Sequence, residues 1–343
     1  MKLSIGKLPP SILESLVFSR LGVIDARVLV GPRIGEDAAI IDIGDNRVLA
    51  IHVDPITEAL ERIGWLGIHV ASNDIAVRGV RPKWFLSTVL LPRGEALEAL
   101  DTITRQMDSA LKEVGGMLIG GHAEVSPGIE KPIVVVTAMG VGTRDELVLT
   151  ERARPGDYVI MTKAAGLEGT AIIASDFRET LLSLGVPQGL IDEAVSFFYQ
   201  VSVVKEALTL AEVNAVTAMH DPTEGGLLNG LLEIAMASRC IIEVYEDKIP
   251  VRAPTRTICR ALGLDPLKLI SSGVLVATVR PDLLDVALDA LNDIEVDFSV
   301  IGKVVDRGDP KLLLHRINGK VEEISECLQD EISKLWSCEQ VNA

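Results

Sequence analysis

Short acidic and polar clusters interrupt an otherwise apolar chain: Glu36-Asp37, His52-Val53-Asp54, Asn73-Asp74 and His220-Asp221. Each lies at the end of an apolar run or within a helix expected to cover a sheet. Carboxylates gathered at neighbouring strand ends repel one another, and burial sharpens the repulsion. A cation among them removes the penalty, and an all-oxygen donor set suits Mg²⁺. Held against a phosphate, such a cation serves phosphoryl transfer, which needs positioning and charge neutralisation more than a strong base. Gly120-Gly121 and Gly225-Gly226 offer backbone that could approach phosphate oxygens, the second pair just before a helix start. Bland readings stand beside these. The acids are solvated turn residues, Asp221 is a helix cap followed by Pro222, Glu224 is a first-turn acid, and Gly225-Gly226 is a tight turn. Asn73 and Asp74 would then lie on an exposed helix face. A zinc hydrolase is a rival: His52, His122 and His220 with Asp54 or Asp221 supply a ligand set, although without a recognised zinc spacing. There is no GxxxxGK[ST] and no GxGxxG after a strand, which argues against P-loop and dinucleotide enzymes.

The elements that must position these residues are legible from periodicity. Gly35–Ile41 and Val48–Asp54 read as buried strands joined by a turn at Gly44-Asp45-Asn46. That hairpin brings Glu36 and Asp37 toward Asp54. A helix over about Ile63–Val77 carries Asn73 and Asp74, and Gly79 and Pro82 end it. Further strands are expected at Phe85–Leu91 and Pro132–Gly140, with an amphipathic helix over Ala96–Val114 between them. Pro9–Leu21 reads as a short leading helix. A charged, Pro- and Gly-marked turn at Thr150–Asp157 divides the chain into domains. Beyond it, strands and helices alternate again, and His220-Asp221 follows the short apolar run Val216–Met219. The expected class is α+β, a mixed α/β arrangement in two domains.

Composition narrows the functional classes. The chain has 343 residues, too many for one ordinary core. Hydrophobic residues reach 48% with only 3% aromatic, so the cores are aliphatic. The net charge of −16 disfavours nucleic acid and anionic membrane as partners. No window has the length and apolarity of a membrane span, and the N-terminus has no signal-peptide pattern. The 4 cysteines show no CxxC spacing, which fits free thiols in a reducing, cytoplasmic setting.

Taken in order, Gly35-Glu36-Asp37-Ala38-Ala39, His52-Val53-Asp54, the run Ala71 to Pro82, Gly120-Gly121-His122 and His220-Asp221-Pro222-Thr223-Glu224-Gly225-Gly226-Leu227 resemble the aminoimidazole-ribonucleotide-synthetase superfamily. The resemblance spans nearly the whole chain. The second half resembles most the hydrogenase-maturation carbamoyl dehydratase branch, through Asp221-Pro222-Thr223, Gly225-Gly226, Ile249-Pro250-Val251 and Leu262 to Pro266. The resemblance implies an N-terminal dimerising and ATP-binding domain (1–150), a C-terminal α+β domain (151–310) and an extension with a terminal helix (311–343). It implies that two N-terminal sheets pair across a two-fold axis into a dimeric barrel. It implies ATP and Mg²⁺ as cofactors, with Asp37, Asp54, Asp74 and Asp221 on the metal. Asn73 would orient phosphate or metal-bound water. Gly120, Gly121, His122, Gly225 and Gly226 join Asp54, Asn73 and Asp221 around the nucleotide. Asp37, Asp54, Asn73, His122 and Glu224 would carry the chemistry, activation of a substrate oxygen by phosphoryl transfer. Alternatives within and beyond the superfamily are a thiamine-monophosphate-kinase-like enzyme and a non-catalytic nucleotide-binding maturation scaffold. A homodimer is implied, with a small-molecule or protein-borne carbamoyl-type substrate. The chain departs from the pattern at several places. His122 stands where aspartate is usual, Glu224 where the dehydratases have arginine, and Cys338 is near the end without being terminal.

Overall fold

The computed structural model describes residues 6–57, 59–94 and 96–339, with the backbone alone for 337–339. The side chain of Cys338 therefore lies outside the described residues. Two sheets organise the chain. The first is six-stranded and comprises β1 (Val28–Val30), β2 (Ala39–Gly44), β3 (Arg47–Ile56), β4 (Trp84–Leu91), β5 (Met117–Val125) and β6 (Ile133–Thr143), in the order β1-β2-β3-β6-β4-β5. The β2–β3 connection is the expected tight hairpin. Asp45 and Asn46 have φ of 54° and 57°, the left-handed pair that a type I′ turn requires.

Side-chain parity decides which residues of β3 reach the interior. Val48 and Ala50 are buried on the face that the helix Ile63–Ala76 covers, and His52 and Asp54 continue the same row. The helix Ala96–Val114 buries one stripe, Ile103, Met107, Ala110, Leu111 and Val114, and leaves the rest to solvent. The helix Ile63–Ala76 differs: every residue is buried, because it is packed among the sheet, the helix Ala96–Val114 and the second domain's helix Val204–Glu212. Asn73 and Asp74 thus sit between domains and not on an exposed helix face.

The dimeric barrel implied by resemblance is not found. Among the described residues the first sheet is open, β1 pairing only with β2 and β5 only with β4. All of β5 is exposed. The edges β1 and β5 stand at opposite ends of the strand order, and among the described residues no hydrogen bonds close the sheet. The mixed α/β, two-domain arrangement stands without the closure.

The second sheet is seven-stranded. Its strands are β7 (Tyr158–Thr162), β8 (Val216–His220), β9 (Cys240–Tyr245), β10 (Val276–Val279), β11 (Phe298–Arg307), β12 (Lys311–His315) and β13 (Val321–Ile324), ordered β13-β12-β9-β11-β7-β10-β8. Residues 311–324 therefore belong to this sheet. β8 is an edge strand whose last residue, His220, pairs with Val276. The leading helix is shorter than its sequence suggests. It is α-helical over Pro10–Ile12 and π-helical over Leu13–Phe18, with no buried residue to hold a regular face. Among the described residues no helix is long and apolar enough to cross a membrane.

Candidate functional site

The acids meet where the first sheet's helix-covered face abuts the end of β8. In the β2–β3 register Ala39 faces Ile51, so Asp54 lies toward Glu36 and Asp37 just ahead of β2. Ligand atoms of His52, Asp54 and Asp74 lie within 4.8 Å of one another, and so do those of Asp37, His220 and Asp221. The charges of Asp221, Asp54 and Asp37 all bear on Asp74, so the two groups form one centre.

Within that centre the two groups are not equivalent. Asp37 already has partners on both oxygens: Oδ1 is 2.7 Å from His220 Nδ1 and Oδ2 accepts from Arg78 Nη2 at 2.9 Å. Arg78 is fully buried. It also donates to Glu36, to the Thr150 hydroxyl and to the Met219 carbonyl. The other ring nitrogen of His220 lies 2.8 Å from Glu233 Oε2, and Lys7 Nζ lies 2.9 Å from Glu233 Oε1. The result is a chain of alternating charge, Lys7–Glu233–His220–Asp37–Arg78–Glu36. Burial opposes the charge on His220, yet Asp37 and Glu233 raise it to about 10, which fixes an imidazolium with no lone pair for a metal. Burial likewise opposes ionised Asp37, and His220 and Arg78 hold it below the usual carboxylate range. Glu233 is drawn down to about 2 against its burial by Lys7 and His220.

Asp54, Asp74 and Asp221 behave oppositely. Burial first, and then the charge of Glu224, pushes Asp54 up to about 7. Burial and neighbouring carboxylates push Asp74 and Asp221 well above their ordinary values. Both carboxylate oxygens of Asp221, 1% exposed, have no hydrogen-bond partner among the described residues. Asp74 Oδ2 is 3.3 Å from His52 Nε2, but the pair is not aligned for a hydrogen bond. Burial lowers His52, so its imidazole is neutral. These oxygens are cation-seeking by the ordinary rule that buried polar groups find partners.

Other residues put forward from sequence are placed differently. Asn73 spans the domain contact: its Nδ2 donates to the Val201 carbonyl, and its Oδ1 accepts from the Val203 amide, each at 2.8 Å. Gly225 N–H donates to Asp330 Oδ2 at 2.7 Å and Gly226 N–H to the Thr223 carbonyl at 3.0 Å. Gly226 has φ +66°, and a Cβ there would lie 2.7 Å from the carbonyl oxygens of both Leu267 and Leu269. Glycine at this position thus serves close packing of the helix Gly226–Ser238. Glu224, half-buried, adds its charge to Asp54. Gly120, Gly121 and His122 lie on β5, which is separated from β3 by β6 and β4, about 14 Å at the usual strand spacing. His122 Nε2 is 3.1 Å from Glu124 on the exposed edge. Within one chain they do not meet the acids.

Sequence reasoning passed over Arg78, Glu233, Lys7 and Glu168. Arg78 looked like part of a helix stop. Glu233 is a lone acid inside the apolar run Leu227–Ala237, and that isolation is the signal that could have marked it. Glu168 is 2% exposed, its Oε2 has no hydrogen-bond partner among the described residues, and burial raises it to about 8.

With this geometry in view, comparison with known proteins is informative. Residues 35–142 match the family profile "AIR synthase related protein, N-terminal domain", and residues 154–315 match its C-terminal counterpart. The carbamoyl dehydratase HypE of Cupriavidus necator is 31% identical over 72% of this chain and 68% of its own length. A crystal structure of the hydrogenase maturation protein HypE in complex with ATP superposes with TM-score 0.71 at 24% identity, covering 96% of this chain and 98% of that one. A thiamine-monophosphate kinase-type protein, AaThiL complexed with AMPPCP and TMP, gives TM-score 0.72 at 19% identity, over 96% and 99% of the two chains. The last two likenesses establish the fold. By sequence and fold together, the chain belongs to the AIR-synthase-related family, with HypE-like carbamoyl dehydratases among its relatives.

Proposed function

We propose that the chain is an ATP- and Mg²⁺-dependent enzyme that activates a substrate oxygen by phosphoryl transfer, the nucleotide lying between the two domains. The observation that carries this reading is Asp221, whose buried carboxylate has neither oxygen partnered among the described residues and whose charge bears on Asp74. Hard oxygen donors without internal partners fit Mg²⁺, which would supply charge neutralisation of the phosphates. Asp54, Asp74 and Asp221 would hold the ion. Asp37 would act one step removed, through its fixed pairs with His220 and Arg78. Asn73 keeps the helix Ile63–Ala76 docked on the second domain and so sets the position of Asp74. Glu224, whose charge bears on Asp54, is the residue proposed to adapt the site to its substrate.

Calorimetric titration of ATP tests the reading, with micromolar binding expected in Mg²⁺ and a loss of about 10-fold or more in chelator. ADP release is then measured against small carbamoyl, thiamine-phosphate and ribonucleotide-like compounds. Nucleotide affinity indifferent to Mg²⁺ contradicts the proposal. A non-catalytic scaffold predicts binding without turnover on any of them, and the departures at His122 and Glu224 favour keeping that reading in the assay. Turnover of thiamine phosphate alone would favour the kinase-like alternative.

A homodimer through the N-terminal domain is part of the proposal. The sheet face away from the helices leaves Val53, Val141, Trp84 and Leu86 exposed, an apolar surface of the kind that marks an interface. Sedimentation of the wild type is expected to give a dimer, and Val53→Asp a monomer with unchanged melting of the second domain. A wild-type monomer at micromolar concentration contradicts this.

A further inference from the structure

We propose that Glu168, together with Glu224, selects the substrate of this site, and that the substrate it selects carries a nitrogen cation of the amidinium or ammonium kind. The inference rests on the nucleotide reading above and names a substrate class for the same site. Glu168 lies in the first turn of the helix Leu167–Asp176, and every residue from Leu167 to Ala174 is buried. That turn is locked to the segment 269–272. The Gly166 N–H donates to Ser271 Oγ at 2.9 Å, and the Gly169 N–H donates to the Ile270 carbonyl at 3.0 Å. A Cβ on Gly169 would lie 2.4 Å from Leu269 Cγ, so helix and segment touch backbone to side chain. The backbone under Glu168 is thereby fixed.

An acid in a first helical turn is ordinarily a surface group that complements the helix dipole. Glu168 is instead 2% exposed, and its Oε2 has no hydrogen-bond partner among the described residues. Burial opposes its charge most. The fully buried Ser272 hydroxyl stands close enough to ease that charge, yet it too completes no hydrogen bond among the described residues. The charges of Glu224, Asp54 and Asp330 then add to the opposition. Glu224 also acts on Asp54, so Glu168 and Glu224 adjoin the acid centre on its Asp54 side. Lys163, the basic residue nearest to Glu168 in sequence, is spent elsewhere: it lies 2.6 Å from Glu206 and donates to the carbonyls of Ser202 at 2.6 Å and Gly273 at 2.9 Å. A carboxyl buried among like charges is costly until a partner arrives. A divalent ion needs converged oxygens, and neither Glu168 nor Glu224 belongs to the two groups whose ligand atoms lie within 4.8 Å of one another. An organic cation spans a wider gap and brings several N–H donors, enough for Glu168 Oε2, Ser272 Oγ and Glu224 together. Held there, the substrate would have its acceptor oxygen directed toward a phosphate at Asp54, Asp74 and Asp221.

Acetamidinium and its neutral isostere acetamide test this, titrated by ligand-observed nuclear magnetic resonance in saturating Mg²⁺, with and without ADP. The wild type is expected to bind acetamidinium with a dissociation constant of about 1 mM and acetamide about 10-fold or more weakly. Glu168→Gln is expected to weaken acetamidinium by about 10-fold or more and to leave acetamide within about 2-fold, which a packing defect would not do. Glu224→Gln, at a half-buried position, is expected to weaken acetamidinium by about 3-fold and keeps the test decisive where Glu168→Gln does not fold. Equal binding of the two probes, a preference that survives Glu168→Gln, or an acetamidinium affinity unmoved by Glu224→Gln overturns the proposal. Displacement of acetamidinium by further Mg²⁺ overturns it as well, in favour of a metal at these acids. ATP affinity that depends on Mg²⁺ without selection between the probes overturns this inference alone. No nucleotide affinity in Mg²⁺ overturns the nucleotide reading and, with it, the assignment of Glu168 to a substrate of that site.

Discussion

Asp221→Asn is expected to abolish Mg²⁺-dependent nucleotide binding while leaving the metal-free protein at least as stable as the wild type. Among the described residues both oxygens of Asp221 lack partners, in a site where burial and the charge of Asp37 resist ionisation. An amide of the same shape removes that resistance and also removes the ligand. Outer-shell partners of a metal site are worth about 10- to 100-fold in affinity, so loss of a ligand oxygen is expected to exceed about 100-fold. Asp54→Asn should behave in the same way. The wild type should show the matching pH dependence. Asp54 rises from its unfolded value of 3.8 to about 7, so the stability it contributes is present below about 4 and is lost as pH rises through about 7. Asp74 and Asp221 shift in the same direction. Metal-free melting temperature should therefore fall between pH 5 and 8. Mg²⁺ affinity should move the other way, because the ion competes with protons below the carboxyl pKa, gaining up to about 10-fold per pH unit for each proton displaced. Differential scanning fluorimetry with and without Mg²⁺ measures both slopes. Parallel slopes, or Asp221→Asn binding like the wild type, would remove Asp221 from the site.

The centre was legible to the extent that its members are local. An apolar strand ending in an acid is a one-dimensional pattern, and the turn residues Asp45 and Asn46 fix which strand ends are neighbours. Pairings set by the contact between domains were not legible. Arg78 is 41 residues from Asp37, and His220 follows 142 positions after Arg78; no periodicity links them. The same limit explains Asn73, whose amide looks available for phosphate in sequence but is spent on Val201 and Val203. The barrel was inferred from resemblance, and strand pattern cannot say whether an edge such as β5 closes. His122 shows how a motif can mislead about distance: it shares a sheet with Asp54, and the order β3-β6-β4-β5 still keeps it away.

Arg78→Met is expected to be the most destabilising single substitution at the centre, by about 3–5 kcal/mol, because it strands Glu36 and leaves Asp37 with His220 as its one buried counter-charge. The guanidinium also bridges the domains. Its Nη2 bonds both Asp37, beside the first sheet, and the Met219 carbonyl on β8 of the second, the latter at 2.6 Å. Arg78→Lys should recover only part of the loss, since one ammonium cannot reproduce a planar fork spanning Glu36, Asp37 and Met219. The sign of the pH dependence separates this charge effect from a packing defect. In the wild type Asp37 is held below its ordinary value, so its contribution is present above about 4 and is lost only as pH falls through the lowered value. Without Arg78 Asp37 keeps only His220, and Glu36 loses its buried counter-charge, so the deficit of the variant should grow from pH 5 to pH 8 as the carboxylates are left charged. A volume defect would cost the same at both. Glu36→Gln added to Arg78→Met should restore part of the stability by removing one stranded charge, although Glu36→Gln alone weakens the wild type. Chemical denaturation at the two pH values, completed as a double-mutant cycle, measures the coupling. A constant deficit with no coupling would show that Arg78 fills space, and the alternating-charge chain that orients Asp37 would then have to be abandoned.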